Sequence, residues 1–285
     1  MHKYIGYHIS IQNIGSAIDK LTKDKVGVAQ IFITGNISFA KCNIDNNSLN
    51  CLKETCENNN ITLVVHAPYV INLSNIEPSN FNRCKSVILN QLEIANKIGA
   101  IGIVVHMGKR NNSKTKVTIS EQEGINNFIN SVSKIIKDYN GKAKLILETA
   151  AGQGTEICSK IEELSKMFYR FSDDERTKLG ICIDTCHIFA AGHDISCKKM
   201  AKKFYKRLNE LFNRKDITCI HLNDSKGEVG SKKDRHQDIG QGEIGVEGLR
   251  YIFNKFNKRK VPMVLETPTE KISYLEQIEL LESNS

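Results

Sequence analysis

Eight short apolar or β-branched runs of this chain finish in polar residues: His8, Thr34, His66, His106, Glu148, Asp184, His221 and Glu266. All but Thr34 can bind a metal ion or move a proton. A single histidine in such a place is ordinarily a hydrogen-bonded rim or core residue; only convergence of the whole set changes that reading. Several carboxylates buried together are costly unless something neutralises them, and divalent cations do so while supplying the missing polar partners. Imidazole and carboxylate donors suit zinc, manganese or ferrous iron, and a set without thiolates points to a catalytic site and not to a closed structural one. Cys182 and Cys186 flank Asp184, and Cys182 shares its side of a strand. Among harder ligands, packing is the expected role of both thiols.

Convergence requires a fold that gathers strand ends. The runs cover 4–10, 28–34, 62–67, 102–107, 144–149, 180–185, 218–222 and 261–267. Between them lie stretches with helical spacing, such as Val87, Ile88, Leu92, Ala95 and Ile98, or Ile125, Phe128, Ile129, Val132, Ile135 and Ile136. Strand then helix, eight times over, predicts an α/β fold of the closed (β/α)8 TIM barrel type, with all strand C-termini on one face. An open doubly wound sheet is the alternative, but its Gly-x-Gly-x-x-Gly turn is missing after the first run. No Pro-rich, Gly/Ser-rich or single-sign stretch divides the sequence, so a single domain over residues 1–285 is expected.

Composition agrees. With 285 residues, 40% hydrophobic and 25% charged, the chain can bury a large core. Its apolar runs fall far short of the roughly 20 residues a membrane helix needs, so no membrane association is expected. The opening MHKYIGYHIS reads as a half-polar strand, and no secretory leader is expected. Nine scattered cysteines, without a Cys-x-x-Cys pair, favour an intracellular, reducing compartment, cytoplasm or nucleus. A formal charge of +8 and a pI near 8.9 suit a polyanionic partner and equally suit plain solubility.

Longer strings carry a resemblance. GICIDTCHIFAAGHD at 180–194 and HLNDSKGEVGSKKDRHQDIGQGEIG at 221–245 resemble two signature segments of the endonuclease IV family of abasic-site endonucleases. HAPYVINL at 66–73, LILETAAGQG at 145–154, VLETP at 264–268 and YIGYHIS at the start look like four more. The similarity runs in register through the whole chain. It implies a barrel with three zinc ions, manganese being an alternative occupant at one or more sites. His66, His106 and Glu148 would hold the first ion; Glu148, Asp184, His221 and Glu266 the second; His187, Asp234 and His236 the third. Three divalent ions would outweigh those four carboxylates by about two charges, which suits a phosphodiester. The attacking hydroxide is expected between the first two ions, oriented by Glu148, with Glu266 shaping the same site.

The substrate implied is double-stranded DNA with an abasic site, cut on its 5′ side to leave a 3′-hydroxyl and a 5′-deoxyribose phosphate. Removal of blocking groups from 3′ ends would accompany it. A sugar without a base leaves the stack cheaply, a physical route to selectivity. His8, Asn36, Phe39, Tyr69, Asn72, Lys109, Arg110, Lys226, Arg235 and the backbone of Gly240 and Gly242 are the expected DNA contacts. The loop Thr34-Gly35-Asn36-Ile37-Ser38-Phe39 departs from the family pattern, lacking its Lys and Arg. A monomer is expected. The rival readings are a sugar isomerase or epimerase on a similar barrel, and a DNA-binding protein without catalysis; the third ligand set and its basic loop favour the nuclease.

Overall fold

The computed structural model describes residues 2–11, 14–40, 42, 44–75, 77–112 and 116–283. Eight parallel strands close a barrel: β1 (His2–Ile9), β2 (Val26–Ile31), β3 (Thr62–His66), β4 (Gly102–Val105), β5 (Lys144–Glu148), β6 (Leu179–Asp184), β7 (Ile217–His221) and, last in the chain, β10 (Met263–Leu265), which pairs with β7 and β1. Two short strands, β8 (Asp224–Ser225) and β9 (His236–Gln237), form an antiparallel pair beyond β7 that the sequence reading did not anticipate. The outer ring comprises α1 (Ile14–Asp24), α2 (Asn46–Asn58), α3 (Pro78–Lys97), α4 (Glu121–Lys137), α5 (Ile161–Phe168), α6 (Asp173–Thr177), α7 (Thr185–Ala190), α8 (Lys198–Leu211), α9 (Gly245–Lys258) and α10 (Tyr274–Glu282). Among the described residues no helix is long and apolar enough to cross a membrane.

Local chemistry sets these elements. Ser120 starts α4 by accepting from Glu123 N at 3.2 Å, and Ser172 with Glu175, then Ser273 with Glu276, form reciprocal caps on α6 and α10. On α4, Phe128, Val132, Ile135 and Ile136 are buried against the barrel, while Ile125 and Ile129 flank that stripe half-buried.

Strand alternation does the rest. Val28, Val64, Val104, Ile146, Cys182, Cys219 and Val264 form one buried cluster inside the barrel, one residue from each of seven strands. On β1 the corresponding place falls to Gly6, opposite Val28, where a Cβ would come within 1.7 Å of the Val28 carbonyl oxygen. Two residues further along each chain, on the same face, come His8, Gln30, His66, His106, Glu148, Asp184, His221 and Glu266. The polar ring therefore sits directly on an apolar plug. Cys182 belongs to the plug, and burial pushes its thiol well above the usual range, consistent with a packing role.

Strand two departs from expectation. Thr34 is its expected end, but β2 stops at Ile31 and the ring member is Gln30. Thr34 lies on the rim, its Oγ1 accepting from Gln91 Nε2 at 3.2 Å.

Candidate metal centre and cleft

Three thiol-free groups of donor atoms assemble above the plug, each within 4.8 Å: His66, His106 and Glu148; Glu148, Asp184, His221 and Glu266; and His187, Asp234 and His236. Glu148 joins the first two. Its Oε2 lies 3.5 Å from both His66 Nε2 and His106 Nε2, while Oε1 is 2.7 Å from His221 Nδ1. Asp184 stands between the second and third groups, with Oδ2 at 3.8 Å from His221 Nδ1 and 3.6 Å from His236 Nε2. Its Oδ1 caps α7 by accepting from His187 N at 2.8 Å, so one helical turn sends the His187 ring toward the third group. Asp234 Oδ1 lies 3.1 Å from His187 Nε2 and 3.3 Å from His236 Nε2.

The remaining ring nitrogens are spoken for. His66 Nδ1 is 2.7 Å from Ala67 O, His187 Nδ1 is 2.8 Å from Thr149 O, and His236 Nδ1 is 3.2 Å from Glu266 O. Each carbonyl must receive an N–H, so in the neutral ring the opposite nitrogen directs its lone pair into the site. Four inward atoms, His106 Nε2, Glu148 Oε2, His187 Nε2 and His236 Nε2, are buried without any hydrogen bond. Orphaned buried donors and acceptors are rare in proteins, and here they converge.

Charge reinforces the point. Among the described residues, none of the four carboxylates pairs with a lysine or arginine; histidines are their only ion-pair partners. Burial would lower the His221 and His187 imidazoles, yet the surrounding carboxylates hold both well above the ordinary value. For His236 burial is again the largest single influence, but Asp184, Asp234 and Glu266 together overcome it and raise the ring to about 9. Burial would raise Glu148, but His106 and His221 keep it well below the usual range; Asp184, where burial dominates, is raised. The donor set fits divalent cations: they would replace these protons and complete the orphaned atoms.

A cavity of about 550 Å³ opens beside the centre, bordered by His106, Asp234, Arg235, Tyr69, Phe39 and Arg83. Tyr69, half-exposed, sets its ring 5.2 Å from both His66 and His106, and its backbone N–H donates to Asn36 O at 2.7 Å, tying two rim loops together. Arg235 is exposed at the cleft edge. Beside segment 34–39, which carries no lysine or arginine, Arg83 of α3 lies 4.3 Å over the Phe39 ring and makes no ion pair among the described residues.

Several expected DNA contacts are engaged elsewhere. Gly240 and Gly242 direct their N–H groups at Asp224 Oδ2, at 2.9 and 3.2 Å, so these donors serve the loop and not a phosphate. Asn72 is consumed by Lys109 N and O, both at 3.0 Å, and Arg110 donates to Ile119 O at 3.1 Å. His8 faces the barrel interior, 3.3 Å from Gln30 Nε2, and burial lowers it to about 4, which leaves it uncharged at neutral pH. Lys109 and Lys226 reach the surface but pair with Glu156 at 3.5 Å and Glu270 at 3.1 Å.

Gln30 and Asn223 were not foreseen. Gln30 is fully buried in the polar ring, and Asn223 donates to Asp184 Oδ2 at 2.8 Å while accepting from Glu266 N at 2.8 Å. Counting two residues beyond Val28 would have found the first.

The chain matches the family described as xylose isomerase-like TIM barrel over residues 18–284. A protein named as a probable endonuclease 4, from Chlorobium phaeovibrioides, is 30% identical over 286 residues, which cover 99% of both chains.

The chain belongs to the endonuclease IV family.

A second endonuclease IV relative, a putative endonuclease 4 by name from Acanthamoeba polyphaga mimivirus, is 37% identical over 216 residues, covering 75% of this chain and 68% of its own. The crystal structure of endonuclease IV from Thermus thermophilus superposes with a TM-score of 0.78 at 26% identity, covering 93% of this chain and 92% of the other. A D-tagatose 3-epimerase-like protein shares the fold, with a TM-score of 0.72 at 20% identity and coverage of 97% and 95%. The barrel alone thus does not separate nuclease from sugar chemistry.

Proposed function

We propose that the chain is a metal-dependent abasic-site endonuclease that hydrolyses the phosphodiester 5′ to the lesion in duplex DNA, leaving a 3′-hydroxyl and a 5′-deoxyribose phosphate, and that also clears blocked 3′ ends. The observation that carries this reading is the meeting of nine donor residues from distant parts of the chain in three groups linked through Glu148 and Asp184. Three zinc ions are the proposed complement, held by those groups. When bound, such ions supply an ionised water at neutral pH, neutralise the phosphoryl oxygens and stabilise the departing alkoxide.

The chain's own residues do the positioning. Glu148 offers one oxygen to each of two neighbouring groups, so its placement fixes their separation. Tyr69, tied through its backbone to Asn36 of the neighbouring loop, forms the wall against which an extruded sugar would rest. Arg235 and Arg83 stand at two edges of the cleft as phosphate anchors; Lys109 and Lys226 can add charge only by releasing their acidic partners. The third group and the cleft beside it favour a polymer substrate over a small sugar, which would need only one or two ions. The test is a nicking assay on duplex DNA bearing an abasic analogue, run with sugar isomerisation as its counterpart. Nicking with no isomerisation supports the reading, and the reverse overturns it.

A further inference from the structure

Gln30 occupies the one place in the polar ring where neither an acid nor an imidazole stands. It lies on β2, beside His8 on β1 and Val64 on β3, and is completely buried. Its amide makes three contacts. Oε1 is 2.7 Å from His221 Nε2, and Nε2 donates to Glu266 Oε1 at 2.6 Å and lies 3.3 Å from His8 Nδ1. Only this orientation of the amide works: turned over, its oxygen would face the Glu266 carboxylate, two acceptors with no proton between them. An amide oxygen in turn requires His221 Nε2 to carry its hydrogen.

That requirement fixes the other side of the ring. With the proton on Nε2, the lone pair of a neutral His221 sits on Nδ1, the atom lying 2.7 Å from Glu148, 3.0 Å from Glu266 and 3.8 Å from Asp184. The same amide holds Glu266 Oε1, which leaves Oε2 as the oxygen facing His221 Nδ1. Two of the four donors of the second group are thereby oriented by one neutral side chain. A carboxylate in its place would orient the imidazole but repel Glu266; an apolar side chain would orient neither.

We infer that Gln30 is the positioning residue of the second metal group, setting His221 to bind through Nδ1 and Glu266 through Oε2. The inference rests on the proposed metal dependence but concerns binding and not turnover. Replacing an outer hydrogen-bond partner of metal ligands typically costs about 10- to 100-fold in affinity. Gln30→Met keeps the length of the side chain and removes both polar ends. Zinc titration against a chromogenic chelator should show one of three equivalents weakened about 10- to 100-fold in this variant, with the other two unchanged. A merely structural role would loosen all three alike and lower the melting temperature. As a measurement on the unaltered chain, long-range 1H–15N spectra of the zinc-loaded protein should show His221 protonated at Nε2 and shifted at Nδ1. Gln30→Met with three wild-type equivalents, or His221 bound through Nε2, would overturn the inference while leaving the nuclease reading intact. A wild-type chain that takes up no zinc would overturn both.

Discussion

Glu148 Oε1 lies 2.7 Å from His221 Nδ1, while the carboxylate's other oxygen is turned to a different pair of histidines. One side chain thus belongs to two donor groups. Glu148→Gln keeps the shape but removes the charge and one acceptor oxygen. Nicking of abasic duplex should fall by well over about 100-fold, more than loss of an outer partner costs, while circular dichroism remains that of a folded barrel. Near-normal turnover would remove Glu148 from its assigned role.

Ion uptake should release protons. In the metal-free chain His236 titrates at about 9, because Asp184, Asp234 and Glu266 face it and outweigh burial and the neighbouring His187. His187 and His221 are raised as well, so these rings carry protons at neutral pH that an entering cation must displace. Zinc affinity should therefore rise from about pH 6 toward about pH 9. Calorimetry in two buffers of different ionisation enthalpy reads the release directly; uptake without proton release, or tighter binding at the acidic end, would contradict the geometry.

The cleft arginines should differ from the paired lysines. Arg235→Ala or Arg83→Ala should weaken DNA binding and lower the slope of log affinity against log salt by about one unit each. Lys226→Ala, whose ammonium is already paired with Glu270, should change the slope much less. Equal slopes for all three variants would withdraw the two arginines as phosphate anchors.

Asp224 organises the loop that carries His236. Its carboxylate accepts N–H groups of Gly240, Gly242, Ile244 and Gly245 at 2.9 to 3.3 Å, and the β8–β9 pairing sets Ser225 opposite His236. Asp224→Ala would strand those donors, at a stability cost of about 3 kcal/mol. Metal analysis of the variant should show the third equivalent lost before the others. Retention of all three would mean that the loop holds His236 by other contacts.

Most of the ring was legible because strand geometry is periodic: a histidine or acid two residues beyond an inward apolar residue must point the same way. The same rule names Gln30, but the apolar run continues past it through Ile31, Phe32 and Ile33, so the strand's apparent end falls at Thr34 instead. Arg83 escaped because a helix residue reaches the cleft only through the packing of α3 beside the loop of Phe39, a contact distant in sequence. Gly240 and Gly242 misled for the opposite reason. Glycines in a basic loop suggest phosphate-binding N–H groups, and nothing in the string reveals that a buried aspartate some sixteen residues earlier takes them.

Bound zinc and strand cleavage, determined on one preparation, decide whether the three donor groups make a working metal centre. Three equivalents of zinc per chain, and strand cleavage 5′ to an abasic analogue that disappears with prolonged chelation and returns with zinc, are the predicted results. A single equivalent, or cleavage that survives complete removal of metal, would contradict the account.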